Sequence, residues 1–206
     1  MSTRLRWYVG TSCVAGGLVL AFLLTRLDLD RAREVAAAIA VFAAFVVVGE
    51  LVTLRVDDQN RLKEISITST FAYGLIPLAG TTVAVLVFIL GSVVADLTRH
   101  RGAVKTLFNA AQYVLALAAG GAIYHALGGG YEITSETLPA LAAGGLAFML
   151  INFLLVSIVV SLANDMPILQ GLRRDNLRLE LGSSAMVLAL APVAVVVAER
   201  SLLLLP

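Results

Sequence analysis

A few polar side chains interrupt otherwise apolar stretches of this chain, and they are the groups with which it could do chemistry. Glu50 stands in the apolar sequence Val46–Val52. A carboxylate at the centre of a membrane helix costs on the order of 2.5–3.5 kcal/mol. Glu50 therefore predicts either a ligand- or cation-binding group in an inner cavity, or a hydrated group near the membrane surface that pairs with Arg55. Asp96, three residues before Arg99, is expected to form a charge pair at a helix end.

Amide and hydroxyl side chains form a second group of candidates. Asn109, Gln112 and Tyr113 fall within one helical turn and can share one broad helix face. Asn152 lies alone in the middle of another apolar stretch. Interhelical hydrogen bonds of such groups are worth about 0.6 kcal/mol on average. These four residues therefore either join helices or form the polar wall of a ligand cavity.

Hydroxyl groups are also concentrated after Ile65. The alternation of apolar and polar residues from Ile65 to Thr68 predicts an extended backbone rather than a helix. We expect this extended segment to be lined by Thr68, Ser69, Thr70 and Tyr73. Their hydroxyls would either bind a ligand or satisfy irregular backbone groups in the membrane.

The sequence contains no arrangement typical of an enzyme. No G-x-S-x-G, Walker or H-E-x-x-H pattern occurs, and the single Cys13 cannot form an internal disulfide. His100 and His125 lie in no metal-ligand motif. We therefore expect no catalytic residues, no metal and no cofactor. A net charge of +1 also argues against nucleic acid as a partner.

The elements that position these residues follow from the composition. Hydrophobic residues make up 59% of the 206 residues and charged residues 14%, against roughly 25% charged in soluble domains. Mean hydropathy is +0.92. This predicts a single all-α integral membrane domain over 1–206, a polytopic bundle surrounded by the lipid bilayer. Spans are expected at about 7–26, 35–54, 69–78 plus 81–97, 106–127, 138–163 and 179–198.

The region between the second and fourth spans has an unusual pattern. It is longer than one ordinary span and holds Pro77 and Gly80 in its middle. This predicts a broken helix or short hairpin around Pro77–Gly80, with one long kinked helix as the alternative. A break at membrane depth is tolerated only where protein or a water-filled cavity covers it, so it also indicates where a ligand could bind.

Charge in the connections predicts orientation in a bacterial inner membrane. The connection 99–105 is basic and 128–137 contains no Lys or Arg. With a hairpin at Pro77–Gly80, the N-terminus and the segment 55–64 are expected to be cytoplasmic, and with a single helix both are reversed. For the final Ser201–Pro206, either the last helix reaches the membrane surface or the chain continues into a further segment.

Small residues at four-residue intervals predict close helix packing. Two such faces occur, and they consist of Ala36, Ala40 and Ala44, and of Ala140 and Gly144. The glycine pairs Gly16–Gly17 and Gly120–Gly121 are further expected points of close approach.

Three stretches resemble a known family: Ile65–Gly74, Gly91–Leu97 (G-S-V-V-A-D-L), and Lys105–Tyr113 with its F-N-A-A-Q-Y run. They are similar to the multi-helix membrane sensor modules at the N-termini of bacterial signalling proteins, which precede GGDEF, HD-GYP or histidine-kinase domains. The broken region is also similar, more weakly, to the S-components of energy-coupling-factor vitamin transporters. In those proteins a three-alanine face docks the transport partner, and Ala36, Ala40 and Ala44 could match it.

The leading hypothesis is a membrane-embedded sensory, ligand-binding module. It would hold a small apolar or amphipathic ligand and signal to a cytoplasmic output domain or partner subunit, and a homodimer is a further expected assembly. The first alternative is a small-molecule (vitamin) transport subunit of the S-component type. The second is a structural or assembly protein in which the polar residues only join helices.

Overall fold

The computed structural model describes residues 1–52, 54–58, 61–65, 68–174, 190–193 and 195. Its elements in chain order are α1 (Thr3–Leu24), α2 (Leu29–Glu34), α3 (Ala36–Leu51), β1 (Leu54–Asp58), β2 (Arg61–Ile65), α4 (Thr68–Ala79), α5 (Thr81–Thr98), α6 (Ala103–Ala126), α7 (Leu138–Ala163) and α8 (Ile168–Arg174). The predicted span 179–198 lies largely outside the described residues.

Four of the described helices are long and apolar enough to cross a membrane, namely α1, α5, α6 and α7, while α3 is apolar but shorter. The expected all-α bundle is confirmed, and the predicted span 138–163 coincides with α7. The first span begins earlier than predicted, because Ser2 caps α1 by accepting a hydrogen bond from the Leu5 N–H group. The second ends earlier, at Leu51, because the chain then enters β1.

Contacts between helix termini define two ends of the bundle. Tyr8 near the start of α1 donates a hydrogen bond to the carbonyl of Leu155 near the end of α7. At the opposite end, Thr82 at the start of α5 donates to the carbonyl of Leu23 at the end of α1. The end of the bundle that contains the Tyr8–Leu155 bond is called the basic end, and it holds the start of α1, the α5–α6 connection and the end of α7. The opposite end, which contains the Thr82–Leu23 bond, α2 and the α6–α7 connection, is called the acidic end.

The predicted break between α4 and α5 is a helical hairpin. Gly80 has φ 90°, its N–H bonds to Ile76 and its carbonyl accepts from Ala84, so one helix stops and another starts at this residue. The two helices pack against each other. They are antiparallel, because α4 begins and α5 finishes at the basic end, next to the last turn of α3. Only glycine adopts this φ without steric cost.

Helix α4 lies at the centre of the bundle. All of its residues are buried except Ser69, which is partly exposed. It packs on α3 through Gly74 and Phe42 and on α7 through Tyr73 and Phe148. This enclosure explains why a helix of 12 residues with Pro77 inside it can lie in an apolar bundle.

A two-stranded antiparallel hairpin precedes α4. Leu54 of β1 is opposite Ile65 of β2, and Asp58 is opposite Arg61. The predicted short helix at 69–78 is confirmed as α4, which begins one residue earlier, at Thr68. The hydroxyl residues Thr68, Ser69, Thr70 and Tyr73 therefore lie in this helix and do not line an extended segment. Hydroxyl residues are readily accommodated at a helix N-terminus, where the first N–H groups have no partner within the helix.

Candidate functional site

The site is centred on Glu50, which lies in the last turn of α3 at the basic end. Its partly buried carboxyl group shares a hydrogen bond with the side chain of Thr68, the first residue of α4. Arg99 and Arg101 attract this carboxyl group, while Asp96 repels it. The predicted alternative partner, Arg55, has a side chain outside the described residues.

Arg99 joins α3 to the end of α5. Its guanidinium donates a hydrogen bond to the backbone carbonyl oxygen of Glu50, over 2.6 Å. This carbonyl belongs to the last turn of α3, where no later helical N–H group is available to it. Glu50 therefore contacts α4 through its side chain and α5 through its backbone.

Asp96 has two partners in the same region. One carboxylate oxygen accepts from Arg101 at 3.0 Å and the other from the Asn109 amide at 3.1 Å. Its side chain is almost fully buried, so the second bond fixes α6 against α5. The expected pairing with Arg99 is wrong, because the chain turns at His100, with φ 52°, and brings the Arg101 N–H group onto the Asp96 carbonyl.

We call these six residues the basic-end network: Glu50, Thr68, Asp96, Arg99, Arg101 and Asn109. They come from α3, α4, α5, the α5–α6 connection and α6. The arrangement holds the termini of these helices together through charged hydrogen bonds, which are roughly twice as strong as neutral ones. A change in position of any one helix would alter bonds to the others.

The remaining amide candidates lie elsewhere. The Gln112 side chain donates a hydrogen bond to Asn152, which joins α6 to α7. Gln112 is buried and Asn152 partly buried. This is the helix-joining role that the sequence allowed. Tyr113 instead lies on the α5 side of α6, with its ring 4.0 Å from that of Phe88.

Tyr73 lies in the middle of the bundle. Its hydroxyl donates to the carbonyl of Leu141 at 2.7 Å, and its ring stacks on Phe148. Gly144 and Gly120 leave room for it, since a β-carbon on Gly144 would collide with the Tyr73 hydroxyl. Of the two expected packing residues on α7, Gly144 thus makes a close contact, and Ala140 is also buried.

Three hydroxyl candidates share the first turn of α4. Thr68 and Thr70 are buried and Ser69 is partly exposed. The structure thus brings Glu50, Thr68 and Asn109 into one network, while Tyr73 and the Gln112–Asn152 pair form separate contacts.

The other predicted small-residue face points outward. Ala36, Ala40 and Ala44 are all exposed on α3. The described helices do not cover this face, so the prediction that these alanines mediate close helix packing is not confirmed within the bundle.

Sequence reasoning missed a second polar cluster, at the acidic end. Arg31 of α2 donates from Nε to the carbonyl of Leu78 in the last turn of α4, over 3.1 Å. The guanidinium also lies over the ring of Tyr131, whose hydroxyl donates to Asp28. Burial and the neighbouring Asp28 carboxylate raise the pKa of Tyr131. No sequence pattern indicated these contacts, which join segments far apart in the chain.

Within the described residues, no three His, Cys, Asp or Glu side chains are grouped as a metal site would require. The polar groups instead form hydrogen bonds between helices, an arrangement suited to holding or shifting helix positions. A family model, MASE9, matches residues 19–202. No curated protein and no solved structure matches the chain. MASE9 is a family of membrane-associated sensor domains, and over nearly its whole length this chain belongs to it.

Proposed function

We propose that this sensor domain binds a small apolar or amphipathic ligand within its bundle and signals to a cytoplasmic output domain or partner subunit through α4. The family supports the sensory role. The observation that carries the proposal is that α4 is hydrogen-bonded at both of its ends. Arg31 holds its last turn at the acidic end, and Glu50 holds its first residue, Thr68, at the basic end.

The burial of α4 makes it suited to this task. A helix enclosed by α3, α5, α6 and α7 cannot deform gradually, because packed interiors favour discrete arrangements. A ligand shifts such an element only by binding one arrangement more tightly than the other. A ligand beside Ser69 or Tyr73 would do so by competing for the space and hydrogen bonds that now fix α4.

The basic-end network supports the second half of the proposal. Displacing Thr68 would shift the position of the Glu50 side chain to which it is bonded. Arg99 holds the backbone carbonyl of the same residue and would be affected by this shift. Arg99 begins the connection between α5 and α6, and Asp96 links that connection to Asn109. Movement of α4 would thus alter the conformation of a basic connection.

Charge supports a cytoplasmic location for that connection. The basic end carries Arg4, Arg6, Arg101 and Lys105, whereas the acidic end combines three arginines with five carboxylates in α2 and the adjoining connections. Basic connections remain on the cytoplasmic side of bacterial inner membranes. A partner or output domain would therefore meet the basic end.

The ligand-binding part is tested by native mass spectrometry of the full chain after gentle extraction in detergent. We expect a retained small molecule in the wild type and its loss in the paired Thr68→Val, Tyr73→Phe variant. The Thr11→Val variant serves as the control, because Thr11 is exposed and its hydroxyl donates to the carbonyls of Trp7 and Tyr8 within α1. A clean apo mass for the wild type would contradict the proposal.

The exposed alanine face favours one second candidate, a transport subunit. Ala36, Ala40 and Ala44 offer a flat surface on α3 to a partner helix. This candidate predicts co-purification with an ATPase partner and its loss in the Ala40→Trp variant. Equal recovery of the partner with wild type and variant would refute it.

A further inference from the structure

An open depression lies at the basic end, where α5 turns into α6. Its volume is about 430 Å³ and its lining consists of Arg99, His100, Arg101, Gly102, Ala103, Val104 and Lys105. We propose that this depression binds the phosphate of an anionic phospholipid headgroup. The proposal concerns a site separate from the ligand proposed beside α4 and does not depend on it.

The depression is lined by more basic than acidic groups. Arg99, Arg101 and Lys105 supply three positive charges; Asp96 offsets one of them through its ion pair with Arg101, and the Glu50 carboxyl group attracts both arginines. Arg99 uses one N–H group on the neutral carbonyl of Glu50. Lys105 has no acidic partner within the described part of the chain. The lining therefore retains uncompensated positive charge, which an anion would complement.

The backbone of the depression also favours a phosphate. Gly102 precedes α6 and offers no side-chain acceptor for the first turn of that helix. The N–H groups of Ala103 and Val104, which line the depression, therefore lack a capping oxygen. Phosphate oxygens are suited to such groups, and the guanidinium and ammonium groups beside them add charge complementarity.

The position in the membrane identifies the source of the phosphate as lipid. The depression lies between two helices, α5 and α6, that are long and apolar enough to cross a bilayer. Leu97, Val104 and Leu107, at the adjoining helix ends, are each more than half exposed. Apolar residues beside a basic pocket match a phospholipid, whose acyl chains adjoin its phosphate, better than they match a free anion.

His100 also lines the depression, and its imidazole can donate a hydrogen bond to a phosphate oxygen. Its φ of 52° is a left-handed conformation in which glycine is cheaper; the corresponding position is Gly128 after α6 and Asp165, with φ 51°, after α7.

The test uses the full chain in nanodiscs of phosphatidylcholine with phosphatidylglycerol as the minor component. Lipids retained after transfer to detergent are identified by native mass spectrometry. We expect preferential retention of phosphatidylglycerol, reduced about fivefold in the Lys105→Gln variant. The matched control is Arg6→Gln, which removes a charge from the same end but outside the depression.

A second variant separates binding from folding. The His100→Gly substitution relieves the left-handed strain, so we expect it to raise the melting temperature while lowering phosphatidylglycerol retention. Equal retention by wild type and Lys105→Gln would overturn the proposal. So would an equal loss in Arg6→Gln, which would show general attraction to the basic end. Displacement of the lipid by inorganic phosphate at low concentration would instead show a free-anion site.

Discussion

The Nε atom of Arg31 lies 3.1 Å from the carbonyl oxygen of Leu78 and donates a hydrogen bond to it, although the residues are 47 positions apart. Leu78 belongs to the last turn of α4, where carbonyl groups have no partner within the helix. The guanidinium therefore caps the C-terminus of the buried helix from α2. It also pairs with Glu34 and covers the ring of Tyr131.

Removing this cap is expected to destabilise the bundle. The Arg31→Met variant retains much of the aliphatic stem but leaves the Leu78 carbonyl without its donor. A lost hydrogen bond that leaves a partner unsatisfied costs about 1–3 kcal/mol, measured as a lower free energy of unfolding in detergent. Arg33→Met is the control, because Arg33 is largely exposed and, among the described residues, forms its ion pair with the exposed Asp30. Equal effects of the two changes would contradict the capping role.

The two neighbouring glycines of α1 are expected to differ sharply. A β-carbon on Gly16 would lie 2.8 Å from the Cα of Ala111 on α6, whereas one on Gly17 meets nothing within 4 Å. Gly16→Ala should therefore separate α1 from α6 and cost about 1–3 kcal/mol by overpacking. Gly17→Ala should be neutral or stabilise the helix by up to about 1 kcal/mol. Thermal unfolding of both variants measures the difference in stability. Similar melting temperatures would show that α1 does not pack closely against α6 at Gly16.

Neutralising Asp96 is expected to loosen the contact between α5 and α6. The Asp96→Asn variant keeps the shape of the side chain but removes the charge that Arg101 and Asn109 bind. Hydrogen bonds to charged groups contribute about 1.5–3 kcal/mol, and the value here should lie near the lower bound because Arg101 is partly solvated. Urea unfolding provides the measurement, with Asp30→Asn on the exposed α2 surface as the control, for which no measurable change is expected.

Because of Tyr131, the free energy of unfolding is expected to decrease as pH rises through the alkaline range. Its pKa in the folded protein is raised by burial and by Asp28, so the folded state holds the phenol proton more tightly than the unfolded state. The stabilisation from this group is therefore present below the usual tyrosine pKa of about 10 and is lost as pH rises through the folded value. We expect the wild type to lose more stability over this range than Tyr131→Phe. Parallel pH profiles would contradict this.

Some of the fold follows from local sequence rules. Pro77 and Gly80, in an apolar region too long for one span, predicted the α4–α5 hairpin, and the structure has it. The close approach predicted at Gly16 is also confirmed, whereas the adjacent Gly17 faces open space, because only one of two consecutive helical residues can face the same neighbour.

The candidate site could be predicted only in part. Glu50, Thr68 and Asn109 stood out as polar residues in apolar segments, and all three belong to the basic-end network. Their partners depend on geometry that spacing does not encode. Asp96 pairs with Arg101 rather than Arg99 because of the left-handed turn at His100. The Arg31–Leu78 contact requires the tertiary packing of α2 over α4 and has no local signal.

In the proposed mechanism, α4 couples the two ends of the bundle. Hydrogen–deuterium exchange of the full chain in nanodiscs tests it most directly, by comparing wild type with Arg31→Met. We predict faster exchange not only around Leu78 but also at the Arg101 amide, whose N–H is bonded to the Asp96 carbonyl at the opposite end. Faster exchange confined to the acidic end, with the Arg101 amide unchanged, would contradict the coupling.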